Sequence, residues 1–390
     1  MSTHGMLAAA RAWLLESGIR DTQGAFAELP GGLHRAYDAA TGTYAPLYPE
    51  VTAYALQLHL GLWRKGGDVK DLEAAVQSGE WLLMVQGAAG SAVAGAFPYA
   101  VNRADTAGGW YTFDTAVVAH ALVELGEETG NPTFLSAAER AAAWVLRHQR
   151  PDGSFAAFEG QASPVSWASD GNCLHGKLAI LLGALWIRSR DSRYRKAADK
   201  LLGWVSTLQR PDGGIPTSPH ADYIFLHSHC YAVEGLLVGA TQLQQPSLLR
   251  AATRGANFLA RQQQRTGALP RYLGPGALAY LKEVGARFPH LRQRWVPADV
   301  GATAQAVRIW SWLQRTAGVD FSSQIDVGLA WLERCQLRGP DHRVYGGFPA
   351  GIDRLLGWEW RELRLYPWVT VFVADALRSQ AAAPPDARIF

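Results

Sequence analysis

The stretch Trp144 to Phe155, WVLRHQRPDGSF, is written again at Trp204 to Ile215 as WVSTLQRPDGGI. The shared element is an aromatic residue followed five positions later by Gln. It recurs as Trp81/Gln86, Trp144/Gln149, Trp204/Gln209, Phe258/Gln263 and Trp331/Gln336, and Trp13 opens a degenerate sixth copy with Gly at position 18. Each copy closes an amphipathic helical stretch and runs into a loop carrying Gly and an apolar residue, as in Gly153-Ser154-Phe155 or Gly267-Ala268-Leu269. One unit rewritten every 54 to 73 residues or so is the signature of a repeat architecture, in which each unit buries its apolar face on its neighbours.

A second helical series lies between the copies, starting near Tyr48, Phe113, Asn172, His227, Asp299 and Tyr366. These segments, such as DVGATAQAVRIWSWL, are apolar nearly all round, which requires cover on several sides. The first series, such as SRYRKAADKLLGWVSTLQ, keeps one charged face that must meet water. Amphipathic outside and apolar inside, alternating six times, specifies an all-α (α/α)6 toroid of six hairpins in two concentric rings. We place it at residues 1–382, with 383–390 as a tail. Strand signals are weak, with short loop hairpins near GGFPAGIDR.

Composition narrows the function classes. Charged residues are 18% and hydrophobic residues 48% of the 390, which excludes disorder, and the 15 Trp suggest a lined cavity. A formal charge of +3 with both signs interspersed offers no stripe for nucleic acid. The N-terminal stretch, interrupted by Arg11 and Glu16, reads as an amphipathic helix and not a signal peptide, and no apolar run spans a bilayer. Three widely spaced cysteines, Cys173, Cys230 and Cys335, suit a reducing cytoplasm.

In a toroid the inner-helix N-termini gather at one mouth, where free N–H groups and positive dipole ends favour an anionic or polyhydroxylated ligand. The polar residues at those starts are Glu50, Asp114, Asn172 with His175, His227 with His229, Asp299, and Tyr366 with Trp368. Asp114 and Asp299 are equally suited to capping, and Glu50 to a first-turn dipole role. His227, Tyr231 and Glu234 share one helix face at i, i+4 and i+7. Loops overhanging the mouth add Trp110, Trp167, Tyr223, Trp358 and Trp360 beside Arg103, Asp170, Arg361 and Arg364, flat apolar faces with polar neighbours that suit sugars and polyisoprenoids alike.

The outer-helix ends RGANFLARQQQRTGAL and KLLGWVSTLQRPDGGI resemble the QW repeat of squalene and hopene cyclases, and more weakly that of protein prenyltransferase β-subunits. That resemblance implies the toroid, with the aromatic–Gln pairs as buttresses. The cyclases' DxDD-like acid cluster and a DDxxD motif are both missing. Of the prenyltransferase zinc site only an out-of-register echo remains, in Asp170, Cys173 and His229; the expected cofactor is none. The inner starts YPEVTAY, FDTAVVAHAL, HCYAVEGLL and LYPWVTVFVADAL are similar to bacterial α/α-toroid proteins associated with polysaccharide metabolism, whose wider neighbours are six-hairpin glycosidases, uronate lyases and sugar epimerases.

The resulting expectation is a carbohydrate-active enzyme for a glycan or uronate-type sugar. Terpenoid cyclase-like or prenyltransferase-like chemistry, and a non-catalytic glycan-binding toroid, are the alternatives. Hydrolysis would pair Asp114 with Asp299, with Glu50 as substitute. Elimination or epimerisation would use His227 or His229 as base, Tyr231 or Tyr366 as acid and Arg103 or Arg364 as carboxylate clamp. Asn172, His175 and Trp368 complete the substrate-binding candidates.

Overall fold

A computed structural model describes residues 2–22, 29–102, 105–159, 170–274, 298–355 and 358–380. Its outer helices are α1 (Thr3–Glu16), α3 (Val69–Val85), α5 (Pro132–Arg147), α7 (Ser192–Leu208), α9 (Pro246–Gln262) and α11 (Ser322–Cys335). The inner ones are α2 (Pro49–Gly66), α4 (Thr112–Thr129), α6 (Leu178–Ser189, entered through a 3-10 turn at Cys173–Lys177), α8 (Leu226–Gln242), α10 (Val300–Ala317) and α12 (Pro367–Gln380). Each inner helix packs on the next in chain order, and α12 returns to α2, so the ring is closed. In α10 every residue from Val300 to Leu313 is buried. In α7 burial is confined to one stripe, Tyr194, Ala197, Ala198, Leu201, Leu202, Trp204 and Val205, at the spacing of a single helix face. Among the described residues no helix is long and apolar enough to cross a membrane.

The aromatic–Gln repeat is the seam between hairpins. Gln209 Nε2 donates to its own loop at Gly213 O (3.2 Å) and to the next outer helix at Ala251 O (2.9 Å). Gln86, Gln149 and Gln263 make the same two bonds. Gln336 makes them to Gly346 O and, 330 residues back, to Met6 O, fastening the last hairpin to α1. In the degenerate first copy Arg20 takes over, with Nη2 on Ala74 O at 2.9 Å. Gly213 shows why glycine follows: its φ is +91°, and a Cβ would lie 2.3 Å from Arg254 O on α9. Asp152 and Asp212 of the duplicated phrase bind backbone N–H groups of their own turns, Ser154 N and Gly214 N at 3.0 Å.

Inner-to-outer turns are short and several end on left-handed residues, Gly67, Gly130, Arg190 and Gly318. The long outer-to-inner connections form the mouth, and they contain more strand than the sequence suggests. Their hairpins include Pro98–Asn102 with Asp105–Tyr111, and Gly351–Leu355 with Trp358–Arg361; the latter is the hairpin expected near GGFPAGIDR. The short strands Tyr37–Asp38 and Arg364–Leu365 pair antiparallel, closing the rim between the two ends of the chain. That last pairing joins loops far apart in sequence, so local periodicity could not reveal it. Arg103, Trp167 and the 383–390 tail lie outside the described residues.

Candidate functional site

The fourth residue of five inner helices has a common task. Thr52, Thr115, Thr303 and Thr370 accept, through Oγ1, the backbone N–H of Leu33, Phe97, Leu269 and Phe348 at 2.9 to 3.2 Å. In α8 the fourth residue is His229, and its Nδ1 accepts Ile215 N–H at 3.1 Å. Its Nε2 lies 3.2 Å from Gly255 O, its ring packs on Phe258, and burial depresses its pKa to about 4. His229 therefore fills a junction with α9 and is not a group of the mouth. His175 is buried near Phe155, its pKa lowered by burial to about 4 and its Nδ1 without a partner, and Asn172 caps the 3-10 turn by accepting Leu174 N–H at 3.0 Å.

Two residues either side of that fourth position the helices turn their side chains into the lumen. Tyr54 of α2 and Tyr231 of α8, on opposite sides of the ring, meet hydroxyl to hydroxyl at 2.9 Å and so form a floor across it. Lys177, at the end of the 3-10 turn, sits 5.4 and 4.7 Å from their ring centroids. Its Nζ donates to Glu234 at 2.7 Å; Arg308 joins Glu234 (3.7 Å) to Asp375 (3.0 Å), and Arg378 completes the cluster at 2.6 Å from Asp375. Glu234, two turns below His227, thus ties α8 to its neighbours on both sides.

Above the floor on the α2 side, Pro49 starts the helix, Glu50 occupies its first turn, and the N-cap residue Tyr48 makes no side-chain capping bond. The Tyr48 hydroxyl is thereby available to the lumen, where it donates to Asp114 Oδ2 at 2.8 Å. The phenols of Tyr48 and Tyr54 favour the charged form of Glu50. Asp114 does not cap α4: its Oδ1 is buried without a partner, and the side chain is 0% exposed. Burial, reinforced by the Glu50 charge, raises the Asp114 pKa well above the ordinary carboxylate value. Burial raises Glu50 to about 7, against the phenols of Tyr48 and Tyr54 and the charge of Lys177. Tyr99 packs edge-on against Tyr48, and its hydroxyl accepts Arg35 Nη1 at 2.8 Å.

Across the lumen stands His227, half-buried between Tyr231 and Trp368, with ring centroids at 4.5 and 4.7 Å. Its Nδ1 is 2.7 Å from Gln305 Oε1, an amide orientation that puts the proton on Nδ1 and the lone pair on Nε2. Burial lowers its pKa, so it is neutral at pH 7. Asp299 behaves differently: Oδ1 caps α10 by accepting Ala302 N–H (2.8 Å) and Oδ2 faces Arg271 Nε (3.3 Å). With both oxygens engaged and 2% exposure, it is a cap and not one half of a carboxylate pair with Asp114. At the rim Arg364 pairs with Asp38 at 3.2 Å, beside the half-buried Tyr366.

The trio echoing a zinc site does not assemble. Asp170 accepts Ala157 N–H and pairs with Arg150, burial pushes the Cys173 thiol up and keeps it protonated, and both His229 nitrogens are used. Among the described residues no group of three His, Cys, Asp or Glu is arranged to hold a metal ion. Sequence reasoning missed Tyr48, Tyr54, Lys177, Gln305 and Arg35. A usable signal was present: writing the inner starts as PEVT, TFDT, LHSH, VGAT and PWVT aligns His229 with the threonines and fixes the lumen-facing register for Glu50, Tyr54 and His227.

No protein-family model and no curated relative matches the chain. Solved structures do resemble it. A sugar epimerase from a ruminal bacterium superposes with a TM-score of 0.72 at 12% identity, over 97% of this chain and 100% of that one. An unsaturated glucuronyl hydrolase from Bacillus sp. GL1 gives 0.64 at 14% identity, over 96% and 95%. A polysaccharide lyase gives 0.60 at 11% identity, over 97% of each. At such identities the likeness is one of fold, and it is the α/α toroid.

Proposed function

We propose that this chain is a carbohydrate-active enzyme that moves protons on a saccharide bound above the Tyr54–Tyr231 floor. The observation that carries the reading is the pair Glu50 and His227, on opposite inner helices, one carboxyl raised to about 7 and one imidazole kept neutral with Nε2 free to accept. Half-buried aromatic faces at Trp368, Tyr366, Tyr99 and Trp110 suit the C–H faces of sugar rings. The epimerase, hydrolase and lyase named above supply the fold-level analogy for the substrate class. The likeness of the aromatic–Gln repeat to that of the cyclases we take as a likeness of fold.

His227 Nε2 takes the proton from the carbon next to a carbonyl or carboxylate, and protonated Glu50 delivers one from the other side. Delivery to the same carbon is epimerisation; delivery to a leaving oxygen is elimination. Asp114, fully buried, holds Tyr48 and so orients Glu50, while Arg35 and Arg364 at the rim are placed to meet a substrate carboxylate. Two-carboxylate hydrolysis is disfavoured, because neither Asp114 nor Asp299 presents a free oxygen to solvent.

The test is incubation with disaccharides and uronate oligosaccharides in deuterated water, followed by NMR and by absorbance of unsaturated products. Expected are solvent deuterium at the inverted carbon of an epimerised product or an unsaturated product of elimination, and a loss of about 10²- to 10⁴-fold in kcat for both His227→Ala and Glu50→Gln. New reducing ends without deuterium incorporation into a C–H bond or unsaturated product, or full activity in both variants, refutes the reading.

A further inference from the structure

Tyr223, Phe225 and His227 alternate with the buried Ile224 and Leu226, the period of an extended strand carried into the first turn of α8. The strand Ile224–Phe225 pairs antiparallel with Tyr272–Leu273, from the connection between α9 and α10, and sets Phe225 directly opposite Tyr272. Those two rings stack at 4.9 Å with planes 24° apart, and Tyr223 meets Tyr272 edge-on at 6.2 Å. Gly274 lets the two segments approach: its φ is +102°, and a Cβ would lie 2.5 Å from Asp222 O. From this strand pair the rings continue, Phe225 to His227 at 5.6 Å, His227 to Trp368 at 4.7 Å and Trp368 to Tyr366 at 6.3 Å. Gly301 makes room for the Trp368 indole against α10, since a Cβ there would lie 2.2 Å from it. Every ring in this run is half-buried, whereas the tryptophans of the helix interfaces, Trp13, Trp81, Trp144 and Trp310, are fully buried. Packing alone therefore leaves one face of the run open.

We propose that this run is a track for a saccharide chain, so that the substrate is an oligosaccharide: its reacting unit sits at His227 and further units lie over Phe225 and Tyr272. The steps between the rings are of the order of one sugar unit, and flat aromatic faces match the C–H faces of pyranose rings. The edges of the track are polar. Asp222 is exposed beside Tyr223, and the half-buried Arg271, next to Tyr272, pairs with Asp299 at 3.3 Å and Glu362 at 3.5 Å. Such groups serve the hydroxyls at the rim of a sugar, whereas a polyisoprenoid laid on the same rings would cover charges and give them no hydrogen bonds. The inference rests on the mouth being a saccharide site, and it adds how many units that site holds and where the additional ones go.

The test reads binding and not turnover, so it fails or succeeds separately from the proton-transfer assays. Cello-, manno-, xylo- and galacturonate oligosaccharides of one to five units, with farnesol as the isoprenoid control, are titrated by calorimetry into the full chain, and into Glu50→Gln wherever turnover consumes the ligand. At least one saccharide series should gain about tenfold in affinity between one unit and three. Phe225→Leu and Tyr272→Leu keep an apolar side chain in the strand pair and remove the flat face; each should erase that gain while the one-unit ligand binds as before. Phe225→Trp, which restores a flat face, should keep the gain and shows that the loss is not one of folding. Length-dependent binding without solvent deuterium or unsaturated product would leave the track standing and sink the Glu50–His227 chemistry. The track itself is overturned by affinity that does not grow with length in any series, by equal losses for one and three units in the leucine variants, or by farnesol binding that Phe225→Leu weakens while no saccharide series gains.

Discussion

Replacing Glu50 by Gln should abolish a pH dependence of folding that the buried carboxyl imposes. Its pKa is 4.5 when exposed and about 7 in the folded protein, raised first by burial, so the native state binds the proton more tightly than the unfolded chain. The stability this gives is fully present below pH 4.5 and is lost as pH rises through 7. At about 1.4 kcal/mol per pKa unit the whole effect is about 3 kcal/mol, of which about 2 to 3 kcal/mol falls between pH 5 and pH 8. Gln keeps the shape and never ionises, so the unsubstituted protein should lose that stability relative to the Gln variant as pH rises over the window. The assay is urea denaturation of both proteins at half-unit steps from pH 5 to pH 8, with the m-values checked for equality. Groups other than Glu50 largely cancel in the difference, except Asp114, whose protonation the Glu50 charge reinforces and which moves the same way. A difference between the two proteins that does not change with pH would show that Glu50 is not held protonated by the fold, and would remove the basis for its role as acid.

Two further outcomes test the architecture around the site. Gly213→Ala should cost several kcal/mol, because φ is +91° and the new Cβ would meet Arg254 O at 2.3 Å, whereas Gly203→Ala, inside α7 with nothing within 4 Å, should stabilise by about 0.5 to 1 kcal/mol; thermal melts decide both. His229→Thr, which restores the acceptor used at four other inner helices, should retain more stability than His229→Ala by about 1 kcal/mol and leave any saccharide activity in place. Loss of activity in folded His229→Thr would return that histidine to the site.

Much of this protein was legible in its sequence because repetition and hydrophobic period are local properties. The recurring aromatic–Gln pair, the amphipathic outer helices and the apolar inner ones fix six hairpins and a mouth at the inner N-termini, and Gln336 reaching Met6 is the physical form of the ring's closure. Glu50 and His227 stood out as candidates because charge in an apolar helix is conspicuous. What the sequence could not supply was the phase of each helix and the partner of each polar group. His227 and His229 are two residues apart and so about 200° apart around α8, one reaching the lumen and the other a backbone N–H of the neighbouring loop. Asp114 and Asp299 look alike beside a helix start; only packing decided that Asp299 caps α10 and meets Arg271, while Asp114 is turned to Tyr48 and has its pKa raised by burial. Those outcomes depend on contacts made by residues tens to hundreds of positions away, the kind of information that exists only once the ring has closed.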